Sequence, residues 1–122
     1  MSLARTETPR ILIADDEAPA RQRLRDLLDE CRERFPLAIV DEARNGREVL
    51  DVLNREKVDI VLLDIRMPEI DGMEAARHIA GMPDPPAIIF TTAFDSYAIK
   101  AFEVNDGSYR VTIRMPYLTA AA

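Results

Sequence analysis

Two adjacent aspartates, Asp15 and Asp16, follow the apolar run "RILIA" (residues 10–14), and a third, Asp64, follows "VDIVLL" (residues 58–63). Two threonines, Thr91 and Thr92, follow a further run, "AIIF" (residues 87–90). Carboxylates gathered at neighbouring strand ends repel one another, and a hard divalent cation with oxygen ligands removes that cost. Mg2+ suits such a place because it takes few carboxylates and keeps several waters. A carboxylate beside a divalent cation can attack phosphorus, the metal offsetting the charge that develops on the phosphoryl oxygens. Asp64 is the leading nucleophile candidate, and Thr92 could donate to a phosphoryl oxygen. Any single aspartate could instead be a helix cap or a solvated loop residue. Asp16, for example, could cap a helix that begins near Pro19. The joint pattern of strand-end DD, strand-end D and strand-end TT is what points to chemistry.

These residues meet only if the elements carrying them are neighbours. Residues 10–15 read as a buried strand, and Pro19 suits a first helical turn. Leu24, Leu27, Leu28 and Cys31 then recur at helical spacing between arginines and acids, a first amphipathic helix ending near 34–36. Residues 37–43 read as a second strand, 45–56 as a second helix, and 58–64 as a third strand, apolar on both faces. A short third helix at 72–82, a turn with a fourth strand within 84–93, a fourth helix at 96–104 and a fifth strand at 109–113 complete the pattern. Continuous apolar strands fit a parallel sheet covered on both sides. Alternation at this spacing argues for βαβ units with right-handed crossovers, one α/β domain. In such sheets ligands bind outside the carboxyl ends of the strands, where the acids and threonines fall.

Bulk properties exclude several classes. The chain has 122 residues, 48% hydrophobic and 31% charged, with a formal charge of −6, an ordinary globular composition without a basic face for nucleic acid. Cys31 is the only cysteine, so no intramolecular disulfide forms, and it reads as a small packing residue. No signal-peptide core is present, and no run reaches the roughly 18 apolar residues of a membrane helix. The expectation is a cytoplasmic protein with no membrane partner, residues 1–8 forming a loose tail. The four glycines, Gly46, Gly72, Gly81 and Gly107, include no G-x-G-x-x-G, which argues against a dinucleotide site. His78, the sole histidine, reads as a surface helix residue.

"LIADDE" (12–17), "LLDIRMPEIDG" (62–72) and "FTTA" (90–93) together resemble the three signature segments of receiver domains in two-component response regulators. The stretch 90–105 is similar, more narrowly, to receivers attached to LytTR-type DNA-binding domains, such as the alginate regulator of pseudomonads. The resemblance covers residues 9–105. It implies a flavodoxin-like, doubly wound parallel sheet in the order 2-1-3-4-5. It also implies that Asp64 accepts a phosphoryl group from a sensor histidine kinase. Asp15, Asp16 and Asp64 would hold Mg2+, with the backbone carbonyl of Arg66 as a further ligand. Thr92 would be the switch hydroxyl and Tyr109 the aromatic switch. Such a module is a phosphoacceptor rather than an enzyme. It would act in transcription regulation through an output domain outside this chain, which alone would touch DNA, and it would form a homodimer through the face beside the fourth and fifth strands.

The C-terminal segment, 106–122, departs from that pattern. Receivers carry a lysine three residues after the switch aromatic, then a proline; here those positions are Thr112 and Ile113. No fifth helix of useful length fits after Pro116. Arg110 or Arg114 could stand in, but a planar guanidinium is not a compact ammonium. The alternative to a working receiver is therefore a phosphorylation-impaired interaction or dimerisation module. A phosphatase of the haloacid dehalogenase type is disfavoured, because the position two residues after Asp64 holds Arg66 where those enzymes place an acid.

Overall fold

A computed structural model describes residues 8–91 and, in backbone, Val111–Ile113. Strand and helix alternate through β1 (Arg10–Ala14), α1 (Ala18–Cys31), β2 (Ala38–Ala43), α2 (Gly46–Arg55), β3 (Ile60–Leu63), α3 (Gly72–Ala80), β4 (Ala87–Phe90) and β5 (Val111–Ile113). The strands form one sheet in the order β2-β1-β3-β4-β5, and every pairing is parallel. The expected order is therefore observed. The fourth helix read at 96–104 and the segment 114–122 lie outside the described residues.

The two faces of the sheet have different cores. Leu12, Ala14, Val61, Leu63, Ile88 and Phe90 point to one side, where they meet Val49 and Val52 of α2 and Ala76 and Ile79 of α3. Ile11, Ile13 and Leu62 point to the other side and pack with Leu24, Leu28 and Cys31 of α1. The alternation along each strand is the period-2 pattern of a pleated backbone, and burial on both faces explains why the strands read as unbroken apolar runs.

Several details differ from the sequence reading. The first helix stops at Cys31 rather than near 34–36, because Glu33 and Arg34 bond back to Glu30 and Cys31 in tightened turns and Pro36 cannot extend it. Leu27, expected on its apolar stripe, is 40% exposed. The fourth strand is confined to Ala87–Phe90. Before it, Asp84 takes a positive φ of 54°, and Pro85 and Pro86 have no N–H to donate to a ladder.

Helix starts are set by local polar side chains. Asn45 accepts from the Glu48 amide at 2.8 Å at the head of α2, and Asp71 accepts from the Glu74 amide at 2.9 Å at the head of α3. Each cap satisfies a donor that the helix itself cannot, stabilising it by about 1 kcal/mol.

Candidate functional site

β1 and β3 are direct neighbours, with Ala14 in register with Leu63. The residues that follow them therefore emerge side by side. The ladder continues one step past each strand. The Asp15 amide donates to the Ala43 carbonyl at 3.0 Å, the Asp64 amide to Ala14 at 2.9 Å and the Thr91 amide to Leu63 at 3.1 Å. These bonds hold Asp15, Asp64 and Thr91 on a rigid edge rather than on loose loops.

Asp15, Asp16 and Asp64 each offer a carboxylate oxygen, and these atoms lie within 4.8 Å of one another. Burial is graded: Asp64 is 7% exposed, Asp15 is half-buried and Asp16 is exposed. The expected trio is thus brought together. Asp16 does not cap α1. The N-cap position is Glu17, whose side chain makes no capping bond, and the Glu17 amide donates instead to Asp15 Oδ1 at 2.9 Å.

Asp15 records the electrostatic cost of this arrangement. Its carboxyl is pushed up to about 6, first by burial, against the Glu17 amide that favours the ionised form and with smaller repulsions from Asp64, Asp16 and Glu17 adding to the rise. The donor set is all carboxylate oxygen, without histidine or cysteine. It fits a hard divalent cation, which would offset the repulsion that adds to burial in raising Asp15.

The loop after Asp64 is tied down at several points. The Arg66 amide donates to Asp64 Oδ1 at 3.3 Å, while the Arg66 side chain is exposed. The Gly72 amide donates to the Ile65 carbonyl at 2.8 Å and the Gly46 amide to the Ile70 carbonyl at 3.0 Å. Glu69 turns the chain with a positive φ of 65° and reaches Arg47 of α2 at 3.5 Å. Gly72 is required by close approach: a Cβ there would strike the backbone carbonyl of Asp64 and come 2.7 Å from Ile65 Cα. Met67, three residues after Asp64 in the same loop, is buried in the larger core. Nothing in the periodicity marks Met67 for that place.

Of the other candidates, Thr92 and Tyr109 lie outside the described residues, as do Arg110 and Arg114. Thr112 is in β5, its backbone paired with Ile89. His78 is exposed in the last turn of α3 and Cys31 is half-buried against the smaller core, as the sequence suggested. Among the described residues no helix is long and apolar enough to cross a membrane.

Comparison with known proteins agrees with this geometry. The chain is 45% identical over 104 residues to the positive alginate biosynthesis regulatory protein of Pseudomonas aeruginosa, covering 83% of this chain and 40% of that protein. It is 41% identical over 100 residues to the sensory transduction protein LytT of Bacillus anthracis, covering 82% of this chain and 39% of that protein. The chain thus spans about two fifths of the length of these curated relatives. Among solved structures, the response regulatory domain of protein mrkE from Klebsiella pneumoniae superposes with a TM-score of 0.74 at 32% identity, over 92% of this chain and 87% of that one. The family profile for the response regulator receiver domain matches residues 11–109. With a strand order, an acidic edge and relatives that all agree, the chain belongs to the response regulator receiver domain family of two-component systems.

Proposed function

We propose that Asp64 is the phosphoacceptor of this receiver and that Asp15, Asp16 and Asp64, with the backbone carbonyl of Arg66, hold Mg2+. One observation carries the reading: three carboxylates from two adjacent strand ends converge within 4.8 Å, and the most buried of them directly follows the central strand of the sheet. When bound, the cation offsets negative charge on the phosphoryl oxygens. An Asp64 oxygen attacks the phosphorus of a phosphohistidine on a sensor histidine kinase. The P–N bond breaks, and the imidazole leaves with a proton taken from solvent. The ladder bond from the Asp64 amide and the Arg66 amide on Oδ1 hold the nucleophile in place for that attack.

Thr92 then supplies the hydroxyl that follows the new phosphoryl group, and Tyr109 follows Thr92. The module is a switch and not a turnover enzyme; its site is a cytoplasmic one. Its signal passes to a LytTR-type output domain outside this chain, which binds DNA. Homodimerisation uses the face beside β4 and β5, where β5 is the last strand of the sheet among the described residues. Residues 9–105 form the receiver core, with 1–8 a tail and 106–122 an atypical segment.

The test is incubation with acetyl phosphate and Mg2+, followed by intact mass. One added phosphoryl group on the wild type, absent from Asp64→Ala, is the expected result. A second reading, a receiver-like dimerisation module without phosphate signalling, is favoured by one observation. The position where receivers keep a lysine is Thr112, a ladder residue opposite Ile89 that brings no charge. Under that reading the wild type gains no phosphoryl group and Thr112→Lys restores the adduct.

A further inference from the structure

α1 meets the sheet along Leu24, Leu28 and Cys31. One step earlier on that same stripe, three residues before Leu24, stands Arg21. A guanidinium on the sheet-facing side of a helix must replace the water it loses with fixed acceptors. Arg21 finds two. Its Nε donates to Glu42 Oε1 at 2.8 Å, and its Nη1 donates to the backbone carbonyl of Asp15 at 2.9 Å. Only 16% of the Arg21 side chain is exposed. Glu42 sits on β2 in register with Ile13, and its other oxygen accepts from Arg25 Nε. The two arginines hold the Glu42 carboxyl below its ordinary range, Arg25 contributing most and partial burial opposing. Glu42 is therefore an ionised, immobile anchor for Arg21.

Asp15 is consequently gripped on both sides of its residue. Its amide donates to Ala43 on β2, and its carbonyl, which opens the peptide to Asp16, accepts from Arg21. Three carboxylates this close push one another apart when no cation is present, and the ladder bond of the Asp15 amide does not reach the peptide that leads on to Asp16. A tether on the carbonyl between Asp15 and Asp16 resists that movement. Because Arg21 is engaged by Glu42 and a carbonyl, it shapes the loop rather than pairing with the acids.

We propose that Arg21, locked in place by Glu42, is a positioning residue for the cation site. It fixes the Asp15–Asp16 peptide so that both carboxylates face the cation together with Asp64. This rests on the reading of the acidic trio as a Mg2+ site. Side chains that orient metal ligands typically change affinity by about 10- to 100-fold when removed, and a contact made through the backbone falls at the lower end, about tenfold.

The experiment is calorimetric titration of the folded protein with Mg2+ alone, for wild type, Arg21→Met, Arg21→Lys, Glu42→Gln and the Arg21→Met/Glu42→Gln pair, with urea stability measured alongside. Arg21→Met is expected to weaken Mg2+ binding about tenfold. Arg21→Lys, which can reach one acceptor but not both, recovers part of the loss. Glu42→Gln gives a smaller loss, and the double variant binds no worse than Arg21→Met, because Glu42 acts through Arg21. A purely structural salt bridge would lower urea stability and leave the Mg2+ affinity of the folded chain within twofold of wild type, and that result overturns the inference. Should Arg21→Met fail to fold, the isosteric Glu42→Gln decides by the same criterion. A wild type that binds no Mg2+ overturns the site reading together with this inference, whereas a binding wild type with an indifferent Arg21→Met overturns the inference alone.

Discussion

Replacing Asp15 with asparagine should stabilise the metal-free protein while weakening its hold on the cation. The substitution keeps the shape and the oxygen that accepts from Glu17 but removes one of three mutually repelling charges. Two charges at 4.8 Å repel by about 0.9 kcal/mol in water and about 3.5 kcal/mol at an effective dielectric of 20. Raising Asp15 from its ordinary 3.8 to about 6 corresponds to about 3 kcal/mol at about 1.4 kcal/mol per tenfold. Asp15 is only half-buried, so solvent screening brings this down to about 1–1.5 kcal/mol. The sign follows from proton binding. Between pH 4 and 6 the folded state keeps a proton on Asp15 that the unfolded chain has lost, so the stability contribution of Asp15 is full below pH 3.8 and falls as pH rises through about 6. Asp15→Asn lacks that slope. In urea titrations with EDTA, wild type and variant should match near pH 4 and diverge by about 1 kcal/mol at pH 7.5, with the variant the more stable. With Mg2+ at about 20 times its dissociation constant, the wild type gains about 1.8 kcal/mol by mass action and the order reverses. A metal-free Asp15→Asn that is less stable than wild type at pH 7.5, or a difference between them that ignores pH, would refute the reasoning.

Asp71→Ala removes the carboxylate that caps α3. It should cost about 1 kcal/mol in urea and leave Mg2+ affinity unchanged in titration, separating a capping acid from the three that cluster. Gly72→Ala places a methyl group against the Asp64 carbonyl. It should destabilise the fold by about 2 kcal/mol, despite alanine's better helix propensity, and should also weaken Mg2+ binding because the Asp64 peptide must shift. A Gly72→Ala variant more stable than wild type would contradict the close approach.

Much of the architecture is legible in the chain because apolar alternation and helical spacing act over a few residues. Each strand from β1 to β4 and each helix from α1 to α3 falls within or next to its expected stretch. The acids at 15, 16 and 64 stand out because a charge at the end of a buried run has no packing reason to be there. Boundaries were less legible. The end of α1 depends on turn bonds at Glu33 and Arg34, and the length of β4 depends on what its neighbours can pair with.

Tertiary structure alone decided which ends became neighbours. Residues 15 and 64 are far apart in sequence, and only the pairing of β1 with β3 sets their carboxylates within 4.8 Å. The same holds for Met67, drawn from a loop into the core, and for Arg21, whose place on the apolar stripe makes sense only when Glu42 arrives from β2 and the Asp15 carbonyl from the end of β1. Local pattern is written by short-range backbone sterics and the need to bury one face. Strand adjacency is a long-range outcome of how those faces pack, and the electrostatics of the acidic edge come into being only once that packing is made.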